Sequence, residues 1–142
     1  MRSLTSKGAV RRALFVAILA VALPATAQSP FLSSIAASIA ISTSLSASID
    51  LKDQPIVAIQ MPTGWDAAQL TFQGSNNNST FQNVYNMFGE EFTVEAAASR
   101  YIVLSPFEFQ WARYIKIRSG TSGTPVTQTA ARSFVLVTRK VQ

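Results

Sequence analysis

Neither cysteine nor histidine occurs in the chain. No intrachain disulfide can form, and no Cys/His zinc centre can be assembled. A Ser-His-Asp triad and a Cys-His pair are both excluded, as is any histidine general base. Charge is sparse, at 13% of residues, and glycine and proline number six each. Only one long apolar run exists, Ala13 to Leu23, and eleven residues are too few to cross a hydrocarbon core about 30 Å thick. No segment beyond it keeps a 3.6-residue period.

The chain has 142 residues, which fits a single domain, and a formal net charge of +5. That excess is local. Residues 1–27 hold four of the twelve basic residues (Arg2, Lys7, Arg11, Arg12) and none of the seven acidic ones, so eight basic and seven acidic residues remain after them. The remaining cations, Lys52 to Lys140, are scattered. The concentrated positive patch expected of a phosphate-backbone binder is missing, so no nucleic-acid partner is expected.

A basic start, the apolar run, and then Pro24 and Ala25-Thr26-Ala27 match a secretory signal with cleavage after Ala27. The alternative is an uncleaved apolar segment that anchors the chain or packs in an assembly; it would be the sole membrane contact. Residues 28–48 are a Ser/Ala/Ile-rich lead-in. Phe31 to Ala40 shows no clear period and reads as a linker or a short helix. From Ile41, alternation of Ile41, Thr43, Leu45, Ala47, Ile49 and Leu51 with serines predicts a half-buried strand whose polar face suits docking by strand addition.

Residues 49–142 read as short strands between turn signals. Strands are expected over Ile56–Met61, Gln69–Gln73, Thr80–Tyr85, Glu91–Val94, Tyr101–Leu104, Ala112–Arg118 and Ser133–Thr138, with a single turn or short helix at Trp65–Ala68. Seven or eight such strands predict an all-β fold, an antiparallel β-sandwich of jelly-roll type.

Candidate sites are few. Trp65 and Trp111 lie outside the strand alternation and are the aromatics able to stack on a sugar ring, with Asn76, Asn77, Asn78 and Arg113 as hydrogen-bonding neighbours. The competing reading makes both tryptophans core residues, the asparagines a hairpin turn, and Tyr85, Tyr101 and Tyr114 core rings. Glu90, Glu91, Glu95 and Glu108 show no spacing that singles out an acid–base pair. Asp50, Asp53 and Asp66 lack the alternating spacing of a calcium loop. The Gly120–Pro125 loop lacks the Gly-Lys-Ser/Thr that closes a phosphate loop. No catalytic residue, cofactor or metal is therefore expected.

Leu70-Thr71-Phe72-Gln73-Gly74-Ser75, then Thr80-Phe81, Val84-Tyr85 and Arg113-Tyr114-Ile115-Lys116-Ile117-Arg118 resemble the strands of discoidin-type, galactose-binding-like jelly rolls. With Ile59-Gln60-Met61-Pro62, Trp65, Ala68, Ser119-Gly120-Thr121, Pro125-Val126 and Gln128, the order is also similar to small proteins of tailed-phage, prophage and gene-transfer-agent-like structural gene clusters. This resemblance implies a virion accessory protein: a head fibre, spike, decoration or tail-fibre module. Its partners would be other virion proteins or further copies of itself, and host-surface polysaccharide. A cleavable signal departs from that pattern. Either translation begins further downstream, or the module serves a secreted protein, or the apolar start acts in assembly. The alternative function is a secreted or periplasmic carbohydrate-binding module.

Overall fold

The computed structural model describes residues 31–140, and the signal-like segment 1–27 lies outside them. The strands are β1 (Leu32–Ile39), β2 (Ile49–Asp50), β3 (Ile56–Gln60), β4 (Leu70–Ser75), β5 (Gln82–Asn83), β6 (Thr93–Val94), β7 (Tyr101–Val103), β8 (Tyr114–Ser119) and β9 (Arg132–Arg139). A 3₁₀ turn at Pro106–Phe109 lies between β7 and β8. Every pairing is antiparallel. One sheet has the order β1-β9-β3-β7; the other has β2-β8-β4-β5, with β6 also on β4. The fold is the all-β sandwich that the short alternating segments predict.

Alternation builds the core. Leu70 and Phe72 of β4, Ile115 and Ile117 of β8, Ile56 and Ile59 of β3, and Phe134 and Leu136 of β9 are all buried between the sheets. Each such side chain contributes about 1.5–3 kcal/mol of burial free energy. At one end Phe72, Phe92 and Phe109 form a cluster with centroid separations of 5.2–5.7 Å. At the other, Trp65 meets Phe134 edge to face at 6.4 Å.

The lead-in departs from expectation. Phe31–Ala40 is neither linker nor helix: its residues 32–39 form β1, paired along its whole length with β9. Among the described residues the sandwich therefore begins with β1, at residue 32. Ser33, Ile35, Ala37 and Ile39 turn inward while Leu32, Ser34, Ala36 and Ser38 are exposed. The period of two was masked because serine and alanine occupy both faces. Conversely, the alternation from Ile41 does not become a strand before Ile49. Ser42 takes a φ of 60° and Thr43 N–H donates to the Ala40 carbonyl at 3.2 Å, which closes a turn and leaves Ile41 exposed. The chain then runs irregularly along β8. Ser46 exchanges bonds with the Ile117 backbone, both at 2.9 Å.

Several polar groups pin the connections. Gln128 is fully buried; its Nε2 donates to Ser119 Oγ at 2.8 Å, and its Oε1 accepts from Asp66 N–H at 3.0 Å. On the outer face of the second sheet Arg118 is buried. It pairs with Glu91 at 3.3 Å and donates to Asn83 Oδ1 at 2.8 Å, while Glu91 also accepts from Ser122 N–H at 3.0 Å. A buried cation requires this kind of enclosure by acceptors.

Candidate functional site

An open groove of about 580 Å³ runs along the end of the second sheet. Gly74 and Ser75 of β4, Asn76, Asn77 and Thr80 of the following loop, and Gln82, Asn83, Val84, Tyr85 and Trp111 line it. The volume lies in the range of small-molecule sites, about 300–1,000 Å³. None of the ten lining residues is charged.

Trp111 reaches the groove because the 3₁₀ turn anchors Phe109 in the aromatic cluster and reverses the chain. Its indole N–H donates to the Glu108 carbonyl at 2.6 Å, which fixes the ring plane. The ring lies against β4 at Gly74, where a Cβ would stand 2.3 Å from Cζ3. Only the absence of a side chain at 74 admits the indole. Trp111 is 45% exposed, and Tyr85, which also lines the groove, is 53% exposed. Two aromatic surfaces thus face solvent beside hydrogen-bonding groups.

Those groups are held in place. Asn77 Oδ1 accepts from the N–H groups of Ser79 and Thr80, both at 2.9 Å, and lies 3.0 Å from Ser75 Oγ. Its amide nitrogen has no partner among the described residues and remains available as a donor. Asn83 Oδ1 accepts from Gln73 Nε2 at 3.1 Å and from Arg118, which orients its amide in the same way. The arrangement offers neutral donors and acceptors flanked by aromatic faces. That suits a hydroxyl-rich, uncharged ligand.

Of the six residues expected to contact ligand, the structure brings Trp111, Asn76 and Asn77 together in the groove. Trp65 is only 9% exposed; its indole donates to the Ala68 carbonyl at 2.9 Å within a bend, not a helical turn, and it presents no stacking face. Asn78 lies outside the lining, in the left-handed region at φ 56°, and accepts from the Ser48 hydroxyl. Arg113 is also elsewhere. Asp50 holds it at 3.0 Å, Asp53 binds it on the other side, and its guanidinium lies 5.4 Å from the Tyr114 ring centre.

Among the other carboxylates, Asp66, Glu90 and Glu91 are similarly engaged. Asp66 accepts from Thr129 N–H at 2.6 Å and faces Arg132 at 3.4 Å. Chiefly through the Thr129 amide, its pKa falls below the ordinary carboxylate value. Glu90 accepts from Asn86 Nδ2 at 2.9 Å. No group of three metal-ligating side chains occurs among the described residues.

Sequence reasoning missed Tyr85, Gln82, Asn83 and Ser75. Tyr85 was expected in the core, as was Tyr101, yet both are exposed. The usable signal was the polar density of Thr80 to Asn83, too great for a strand buried on one face. No family model, no curated protein and no solved structure matches the chain.

Proposed function

We propose that this β-sandwich is a non-enzymatic binding module that takes a neutral saccharide in the groove beneath Trp111. The observation carrying the reading is the pairing of two half-exposed aromatics, Trp111 and Tyr85, with oriented asparagine amides in a lining free of charge. A sugar ring has an apolar face for the indole and a rim of hydroxyls for the amides. An anionic sugar would find no cation in the lining. Arg113, Arg118 and Arg132 are each committed to ion pairs, which also argues against a phosphate-backbone ligand. Glu91 is committed to Arg118 and Ser122, which supports a non-catalytic reading.

The setting that the motif order favours is a virion accessory protein contacting host-surface glycan. The second reading is a secreted or periplasmic carbohydrate-binding module, favoured by the apolar start and its Ala25-Thr26-Ala27 site. Glycan-array and surface-polysaccharide binding test the module itself. Tyr85→Ala and Trp111→Phe are expected to weaken neutral-glycan binding about tenfold or more, as loss of a well-placed aromatic contact does. Unchanged binding by both folded variants would refute the groove. Mass spectrometry of purified particles and sequencing of the mature N-terminus separate the two settings.

A further inference from the structure

From the geometry of β1 we infer that two copies of this chain pair through it, antiparallel about a twofold axis at Ala36, and join their four-stranded sheets into one. This surface is separate from the groove and does not depend on the saccharide reading.

Edge strands of native sheets are normally guarded by charge, proline, a bulge or brevity. At the other edge of this sheet β7 is only three residues long and is followed closely by Pro106. β1 has eight residues, contains no charge, proline or glycine, and keeps a continuous register with β9. No ionisable residue occurs anywhere from Gln28 to Ile49. A charged partner would find nothing to pair with, whereas a second copy meets no like charge.

The register follows from hydrogen-bond parity. Lys140 N–H donates to the Phe31 carbonyl at 3.0 Å, so the odd residues of β1 exchange bonds with β9. Leu32, Ser34, Ala36 and Ser38 therefore direct their N–H and C=O groups to the edge that is left free among the described residues, and their side chains are exposed. An axis at Ala36 sets Ala36 opposite Ala36 and Ser34 opposite Ser38 of the second copy. These pairs give about six main-chain hydrogen bonds. The small side chains allow close approach.

The ends of the strand supply an independent observation. Phe31 and Ile41, at the turns just outside β1, are 49% and 60% exposed. In this register Phe31 stands beside Ile41 of the second copy at both ends of the seam. Moving the axis by one residue sets Phe31 opposite Ile39, which is buried, or carries it past the end of the strand. The seam thus covers two apolar side chains that each copy leaves in water. An edge seam alone falls short of about 1,000 Å², so the dimer is expected to be reversible, with a roughly micromolar Kd.

Because the chain lacks cysteine, engineered thiols report the register directly. In the full chain, Ala36→Cys should form a disulfide-linked dimer under mild oxidation, since paired Cα atoms about 5.5 Å apart fit a disulfide. Ser34→Cys would lie about 13 Å along the strand from its copy and should cross-link roughly tenfold more slowly or not at all. Sedimentation of the wild type should show a concentration-dependent dimer, and Ala36→Lys, at an exposed position, should be monomeric, with a melting temperature equal to that of the wild type measured at protein concentrations below the Kd. A wild type monomeric at about 100 μM, well above that Kd, would overturn the inference. So would equal cross-linking of the two cysteine variants, or a dimer that survives Ala36→Lys.

Discussion

Gly74→Ala is expected to reveal how the groove is built, because the sign of its effect depends on one other residue. The Gly74 backbone is not in the left-handed region, so alanine is conformationally acceptable there. Within a strand that exchange ordinarily stabilises by about 0.5–1 kcal/mol. Here the new methyl would stand 2.3 Å from Trp111 Cζ3 and 2.8 Å from Cη2. Carbon atoms rest about 3.5–4.0 Å apart, so the indole must retreat by more than an ångström. That displacement breaks the 2.6 Å bond from the indole N–H to the Glu108 carbonyl, which sits on a turn anchored in the core. Overpacking of this kind costs about 1–3 kcal/mol and the lost bond about 1 kcal/mol more, so Gly74→Ala should destabilise by about 2 kcal/mol net. In a Trp111→Ala background the methyl has room, and the same substitution should stabilise by a few tenths to about 1 kcal/mol. Urea unfolding of the four proteins in the cycle gives the coupling, expected near 2–3 kcal/mol. Saccharide binding should fall in Gly74→Ala although every lining side chain is retained. Equal effects of Gly74→Ala in both backgrounds would refute the seating of the indole on Gly74.

Three further outcomes are expected. Arg118→Ala leaves the half-buried Glu91 without its cation and removes a buried guanidinium's packing, and should cost up to about 3–5 kcal/mol, whereas Arg118→Met with Glu91→Leu should recover much of that, read by denaturant midpoint. Asp66 has a lowered pKa in the fold, so its contribution is present above the ordinary carboxylate value, about 3.9, and is lost as pH falls through the folded pKa. Asp66→Asn should therefore be less stable than wild type near pH 7, and thermal melts across pH should show the difference vanishing in acid. Phe72→Ala removes a fully buried ring of the aromatic cluster and should cost about 3–5 kcal/mol, against no more than about 1 kcal/mol for the exposed Tyr101→Ala.

The sheet architecture was largely legible, because a strand buried on one face must alternate in polarity. Leu70 with Phe72, and Ile115 with Ile117, declare β4 and β8 in this way, and both lie in the core. The errors fall where alternation lost its contrast. In Leu32–Ile39 serine and alanine serve both faces, so the polarity difference is too small to mark the strand that β9 imposes through long-range pairing. In Ile41–Ser48 the contrast is clear, but the left-handed turn at Ser42 breaks the backbone before the pattern can be used.

The groove was half legible for a different reason. Asn76 and Asn77 adjoin a strand end, and their turn-forming chemistry was visible locally. Trp65 and Trp111 were indistinguishable, since both stand outside the strand alternation. What separates them is a distant neighbour. Trp65 finds Phe134 and closes over the core, whereas Trp111 finds a strand position without a side chain, Gly74, and stops at the surface. Tyr85 was misplaced because β5 ends two residues before it. With the strand so short, its neighbour Val84 packs against the core and Tyr85 is left in solvent. A binding surface assembled from a strand end, a loop and a residue dozens of positions away depends on contacts that periodicity does not encode, and the missing side chain at Gly74 is the local mark it leaves in the sequence.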